Sequence, residues 1–238
     1  MKTSFFLNLV ASASLAFLTL PAAAQDSYTI KMSVKVEGMP AEYAAYGEQE
    51  VTTYIKGNNT KTEISSMMFS STVYYNETTL TSLSETMGNK TGYTATKEEL
   101  EGMEKGEKTE APKVEYFTDK KTIAGFECTK AVVTSVGKDK KETKTTVWIT
   151  DKISLNENHK KMRKATSRGM DLGDLKGYPL AMEANISQNG MDMKMVMTAT
   201  EVSTAPIPDA TFIVNTEGYK MMSYKEAIEM AKSMRSGK

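Results

Sequence analysis

The sequence predicts a mainly β fold, an open antiparallel half-barrel of about ten or eleven strands with helices at its mouth. Apolar and polar residues alternate in many short runs, turns rich in Gly and Asn separate these runs, and few stretches show the helical period. These observations fit a flat sandwich of two sheets as well, so the sandwich stays as the alternative.

The first part of the chain reads as an antiparallel meander. Its first strand alternates Tyr28, Ile30, Met32, Val34 and Val36 with polar residues and ends at a Gly-Met-Pro turn. The runs that follow are separated by residues that favour tight turns; they cover residues 51–55, 61–68, 72–75 and 79–83. We therefore expect each strand to pair with the one before it.

A short helix and a second group of strands follow. Thr96 and Glu99 have the spacing of a capping box, which predicts a helix that ends before Gly106. Residues 118–121 are expected to be a turn between strands at 114–117 and 123–136, and a further strand covers 143–150.

The pattern fails between residues 151 and 178, so this segment is interpreted as an irregular insert that is functional or disordered. A hairpin at 180–197 follows it. Ser223 and Glu226 then form a second capping box, and apolar residues at helical spacing predict a C-terminal helix over 223–235. We expect this helix to pack on the sheet.

The N-terminus reads as a cleavable secretory signal. Lys2 precedes an apolar stretch over residues 5–20, and small residues lead to a cleavage site after Ala24. A membrane anchor is the alternative, but Asn8 and several Ser and Thr interrupt the apolar run. We therefore expect a signal peptide at 1–24, a single domain at 25–238, and a location in the periplasm or outside the cell.

The composition argues against nucleic-acid binding and against an internal disulfide. The chain has 30 Lys and Arg against 30 Asp and Glu, and loss of Lys2 with the signal leaves 29 against 30. Binding of nucleic acid is not expected from this balance, because it depends on surplus positive charge. Cys128 is the one cysteine, so no disulfide can form within the chain, and a small buried side chain is its expected role.

Methionines line one side of the predicted 180–197 hairpin. Met193, Met195 and Met197 point the same way on a strand, and Met182 faces them across the turn. Three interpretations stay open: ordinary core packing, a wall for a lipid chain, and a Cu(I) site made of thioethers. The wall predicted for a lipid consists of Leu180, Met182, Ile186, Met193, Met195 and Met197.

Other reactive residues lack partners in the sequence. His159 opens a basic run with Lys160, Lys161, Arg163 and Lys164, which reads as a solvated loop or as a transient contact with an anionic membrane surface. Phosphate loops and hydrolase or metalloprotease motifs are absent. We therefore expect no catalytic residues, no metal site and no cofactor.

Several stretches resemble a group of uncharacterised bacterial envelope proteins that have the fold of the outer-membrane lipoprotein carrier (LolA-like) superfamily. These stretches are 54–58 (YIKGN), 61–63 (KTE), 121–131 (KTIAGFECTKA), 148–151 (WITD), 177–180 (GYPL), 207–212 (IPDATF) and 218–219 (GY). The resemblance implies an unclosed antiparallel barrel, with helices across its open side, around an apolar cavity that receives acyl chains. No residue here matches the arginine with which the carriers hold their cargo.

The sequence leads to three hypotheses about function. The first is a non-catalytic envelope protein that binds a lipid or the acyl chain of a lipoprotein in an apolar cavity. The second is periplasmic handling of copper or another soft metal by the methionine strand. The third is a structural or interaction module whose core is filled.

Overall fold

The computed structural model of the chain describes residues 27–40, 47–104, 110–137, 140, 142–153, 172–188 and 191–236. The expected signal peptide at 1–24 and its cleavage site at Ala24 lie outside these residues. So do His159, Lys160, Lys161, Arg163 and Lys164, and the predicted membrane contact through them stays a prediction.

The described strands form one 12-stranded sheet in the order β12-β6-β5-β4-β3-β2-β1-β11-β10-β9-β8-β7. Their bounds are β1 Ser27–Glu37, β2 Gln49–Lys56, β3 Asn59–Ser66, β4 Phe69–Tyr75, β5 Thr79–Thr86, β6 Asn89–Thr96, β7 Lys113–Ile123, β8 Phe126–Val136, β9 Glu142–Thr150, β10 Tyr178–Gln188, β11 Met191–Ser203 and β12 Lys220–Ser223. Helix α1 covers Lys97–Glu104, helix α2 covers Tyr224–Ser236, and a 3-10 turn covers Asp209–Phe212. The predicted mainly β, open and largely antiparallel fold is confirmed.

Several features of the sheet differ from the sequence prediction. Strands β6 and β12 are absent from the predicted set. Strand β12 pairs with β6 in parallel, whereas the other neighbouring strands pair antiparallel. Residues 118–121 are not a turn, because β7 runs through them with a bulge between Tyr116 and Lys120 and turns at Ala124–Gly125. The polar residues at 118–121 are tolerated there because β7 is an edge strand exposed to water.

Strand β1, in the centre of the sheet, has one apolar and one charged face. On β1 the buried side chains are Ile30, Met32 and Val34, and we call their side of the sheet the inner face. Lys31 lies on the opposite, outer face and forms a 2.7 Å ion pair with Glu201 of β11. Alternation with period two therefore separates the core from the solvent, as the sequence indicates.

The sheet is strongly curled. Four inter-strand steps separate β7 from β11 in the sheet order, a distance of roughly 19 Å in a flat sheet. Residues of β7 nevertheless lie within 8 Å of β11, measured between Cα atoms. The strands from β7 to β11 therefore bend round on themselves.

Both helices begin with a reciprocal cap. The Thr96 N–H donates to Glu99 Oε2 at 2.8 Å, and the Glu99 N–H donates to Thr96 Oγ1 at 3.3 Å. Helix α2 repeats the arrangement with Ser223 and Glu226, at 2.8 Å and 3.2 Å. The capping boxes in the sequence thus mark where these helices begin.

Helix α2 is anchored to the β6 edge by Tyr224. Its ring lies 5.6 Å from the ring of Tyr93 on β6, measured between centroids. Burial, with smaller contributions from Tyr93 and Glu99, raises the pKa of Tyr224. The C-terminal helix therefore packs at the same edge of the sheet as α1, which follows β6 directly.

Gly92 on β6 leaves room for two apolar side chains on the outer face. A Cβ there would lie 2.7 Å from Leu83 Cδ2, 2.8 Å from Met221 Sδ and 3.0 Å from the Ser82 carbonyl oxygen. Gly92→Ala should therefore lower the free energy of unfolding by about 1–3 kcal/mol. Gly102→Ala in α1 is the control; its Cβ would meet nothing within 4 Å, and we expect a gain of up to about 1 kcal/mol in chemical denaturation.

The α2 cap should depend on pH. Hydrogen bonds from the Ser223 hydroxyl and backbone N–H lower the pKa of Glu226 in the folded state. These hydrogen bonds favour the ionised carboxylate, so they stabilise the folded state fully only above the pKa of Glu226 in the unfolded chain. The stabilisation should be lost as the pH falls through the folded-state pKa of Glu226. An NMR titration of the Glu226 carboxyl should give a midpoint below the ordinary Glu value. In Ser223→Ala the midpoint should move back toward it; an unchanged midpoint would contradict the cap.

Candidate functional site

The inner face of β1, β10 and β11 brings the predicted site residues together. In the register of these strands Val34 lies opposite Met197, and Met197 opposite Met182. The next inner-face rows, toward the turn between β10 and β11, pair Val36 with Met195 and Met193 with Ile186. We call Met182, Met193, Met195 and Met197 the methionine row. Its four side chains share one face, as their spacing indicates.

The methionine row is closed at one end and more open at the other. Leu180 is 0% exposed and Met182 is 7% exposed, so both belong to the packed core. Ile186, Met193, Met195 and Met197 are only half-buried. The row is therefore partly exposed to solvent at the end near the β10–β11 turn, which we call the upper end of the sheet. The opposite end is the lower end.

Two leucines that the sequence pattern did not single out close the lower part. Leu172 and Leu175 are buried and pack with Met182, Val147 and other apolar residues of β8 and β9. They come from the segment at 151–178, which we interpreted as an irregular insert. Their signal in the sequence is a pair of leucines three residues apart in an otherwise polar stretch.

Both described ends of that segment are fastened to the sheet. Ile153 is buried in the cluster that contains Ile30 and Leu180, and the Tyr28 hydroxyl donates to the Lys152 carbonyl at 3.3 Å. At the other end, the Lys176 N–H donates to the Tyr116 hydroxyl oxygen at 2.9 Å. The central residues, 154–171, lie outside the described part of the chain.

The inner face of β2–β6 has a different chemistry. Hydroxyl side chains occupy much of it: Thr53, Thr60, Thr62, Ser71, Ser82, Ser84 and Thr91. Some bond to one another across strands, with Thr53 and Thr62 hydroxyls 3.4 Å apart and Ser71 and Ser84 hydroxyls 3.2 Å apart. Buried apolar residues of this face, such as Ile55, Tyr75 and Leu80, are therefore interspersed with hydroxyl groups, in contrast to the uninterrupted methionine row on β11.

Charged groups of β10 and β11 are held on the outer face. Lys194 forms a 2.6 Å ion pair with Glu183, and hydrogen bonding to that carboxylate raises the pKa of Lys194. Both side chains alternate with the methionine row along their strands, so they point away from it. The wall formed by the row carries no ionic group.

The one cysteine of the sequence lies in the packed core. Cys128 is fully buried, its thiol lies 3.6 Å from the Phe126 carbonyl oxygen, and burial raises its pKa. This keeps the thiol protonated and inaccessible, as expected for a small core side chain. Within the same residues there is no group of three or more His, Cys, Asp and Glu placed to hold a metal. No helix in them is long and apolar enough to span a bilayer.

Comparison with known proteins gives similarity of structure. No family model and no curated protein matches the sequence. The structure is similar to PNGF-II over 86% of this chain but 33% of PNGF-II, with 15% identity and a TM-score of 0.47. An uncharacterised conserved protein from Thermus thermophilus is covered over 91% of its length by 84% of this chain, with 6% identity and a TM-score of 0.44.

A LolA superfamily protein from Nitrosomonas europaea is also similar, over 80% of this chain and 91% of its own, with 9% identity and a TM-score of 0.33. At these TM-scores the likeness says nothing about ligand or activity, which must be argued from the site itself.

The packing of Leu175 against the methionine row can be tested by truncation. Leu175 is 3% exposed, so Leu175→Ala should leave a cavity beside Met182 and lower the free energy of unfolding by about 2–5 kcal/mol. Ile213 is 69% exposed, so Ile213→Ala is the control and should change the free energy of unfolding by less than about 0.5 kcal/mol. Equal effects in urea unfolding would show that Leu175 does not pack as described.

Proposed function

We propose that the protein is a non-catalytic binding protein of the cell envelope that takes the acyl chain of a lipid or lipid-modified partner on the methionine row. The observation that carries this proposal is a half-buried, uncharged wall on the inner face of β10 and β11, while the ionic groups of the same strands lie outside. A core residue with no ligand to meet is normally packed to completion, as Leu180 and Met182 are.

The dimensions of the open part suit a hydrocarbon chain. Met193 and Met197 are four residues apart, which is about 14 Å along a strand. One leaflet of a bilayer has a hydrocarbon depth of about 15 Å, half of the core thickness. An acyl chain laid along the open row would therefore contact Met193, Met195 and Met197 in turn.

Methionine is well suited to this contact. Its unbranched side chain has three rotatable bonds and a polarisable sulfur, so a wall of methionines adapts to chains of different length and unsaturation. Leu172 and Leu175 form the floor of the site, because they already cover Met182. In this proposal the ligand enters from the upper end.

A second candidate follows from the pairing of Met182 with Met197. These residues face each other directly across β10 and β11, and Met195 is the diagonal neighbour of Met182. Three thioethers at this spacing are the soft ligands that Cu(I) prefers. Stoichiometric uptake of Cu(I) by the apo protein, lost in Met197→Leu, would favour this candidate over acyl binding, which Met197→Leu should preserve.

Acyl binding is tested by uptake of a fluorescent fatty acid and by native mass spectrometry of gently purified protein. We expect co-purified lipid and saturable uptake. Met195→Lys places a charge on the wall and should abolish uptake, because an unpaired charge cannot be buried against an acyl chain. Met230→Lys is the matched control, since Met230 is 42% exposed on α2, and it should bind as the unmodified protein does.

Thermal unfolding of both variants separates loss of binding from loss of folding. If Met195→Lys stays folded and takes up fatty acid normally, Met195 does not contact the ligand. If the unmodified protein carries no lipid and takes up no fatty acid, the inner face is a filled core and the acyl-binding proposal fails.

A further inference from the structure

The upper end of the sheet carries two adjacent turns tipped by methionine. Met67 and Met68 connect β3 to β4, and Met87 with Gly88 connects β5 to β6. Met87 is 74% exposed and Met67 is 72% exposed, the highest values among the large hydrophobic residues of the described chain. Two strand spacings separate the turns, or about 10 Å, so both turns can meet one flat surface at once. We call the three methionines at their tips the apolar patch.

The backbone holds these side chains out of the sheet. Met87 has φ 50° and Gly88 has φ 79°, the left-handed pair of a two-residue hairpin turn. Asn, Asp or Gly is preferred at the first position, and a methionine there is both strained and exposed to water. In the neighbouring turn, the Met68 and Phe69 N–H groups donate to Ser66 Oγ at 3.3 Å and 3.2 Å. Both turns therefore present methionine side chains to the solvent at the end of the sheet.

The tips are also uncharged. The nearest ions below Met87 are Glu85 and Lys90, which neutralise each other across the hairpin at 3.7 Å. A partner recognised by charge is not matched by such a patch. Three methionine side chains are far fewer than the roughly 20–30 residues that each protein contributes to a stable protein interface. A bilayer, in contrast, accepts apolar side chains individually at its headgroup boundary.

We propose that Met67, Met68 and Met87 dock the protein on a lipid bilayer by inserting into its surface. The geometry and exposure of the two turns do not depend on the proposed acyl binding, but the purpose of docking rests on it. The same upper end of the sheet carries the open part of the methionine row, so a docked protein would present that opening to the membrane.

Flotation with neutral phosphatidylcholine vesicles tests the proposal. We expect the unmodified protein to float with the vesicles and its binding to be unchanged by added NaCl, because no charge is involved. The double variant Met67→Ser, Met87→Ser should bind at least about tenfold more weakly. Met230→Ser removes an exposed methionine from α2 and should bind normally.

A second measurement does not depend on loss of binding. Met87→Trp should show fluorescence quenched by vesicles that contain brominated lipid, beyond the quenching of the native Trp148 in the unmodified protein. Absence of this quenching, or equal flotation of the double variant and the unmodified protein, would overturn the docking proposal. If the unmodified protein self-associates but does not bind vesicles, and the double variant does not self-associate, the docking proposal is wrong and the methionines contact a second copy of the chain.

The two proposals fail separately. If the double variant loses vesicle binding but takes up a soluble fluorescent fatty acid normally, the turns dock the protein and the methionine row binds the ligand. If vesicle binding requires Met67 and Met87 but neither the unmodified protein nor the double variant takes up fatty acid, the docking proposal holds and the acyl-binding proposal fails.

Discussion

The pairing of β1 with β11 is the constraint on which the rest of the structure depends. Strand β1 is first in the described chain but lies in the middle of the sheet, with β2 on one side and β11 on the other. It joins two groups of strands, β2–β6 and β7–β11, that would otherwise be separate sheets. The partners Thr29 and Ser203 are far apart in sequence, so this contact carries a large loop-closure cost that only extensive apolar burial offsets.

The register of that pairing decides which chemistry faces inward. A slip of one residue would turn Met195 and Met197 to the solvent and bring Lys194 inside. A bulge between Lys31 and Met32 in the pairing leaves Thr200 as the extra residue, and its hydroxyl donates to the Lys31 carbonyl at 3.3 Å. The bulge keeps Ala199 and Val202 on the same inner face, although two residues lie between them.

The two ends of the sheet differ in how much of their apolar surface is buried. At the lower end Leu172 and Leu175 complete the packing around Met182, which supplies stability. At the upper end the methionine row is half-buried and the turns at Met67 and Met87 are exposed, which leaves apolar surface in water. Apolar surface left in water does not stabilise the fold, and such surface typically marks a binding or interaction site.

Periodicity and local chemistry determined much of this protein. Alternation predicted most of the strands, though not β6 or β12, and it predicted the shared face of the methionine row. Thr96 with Glu99 and Ser223 with Glu226 marked where the helices begin, because these signals lie within a few residues of one another. Tertiary structure alone decided that β12 pairs in parallel with β6, that β7 continues through 118–121, and that Leu172 and Leu175 cover Met182. These features join distant segments and could not be predicted from local sequence signals. Long-range pairing depends on which apolar surfaces remain to be buried once the local elements have formed.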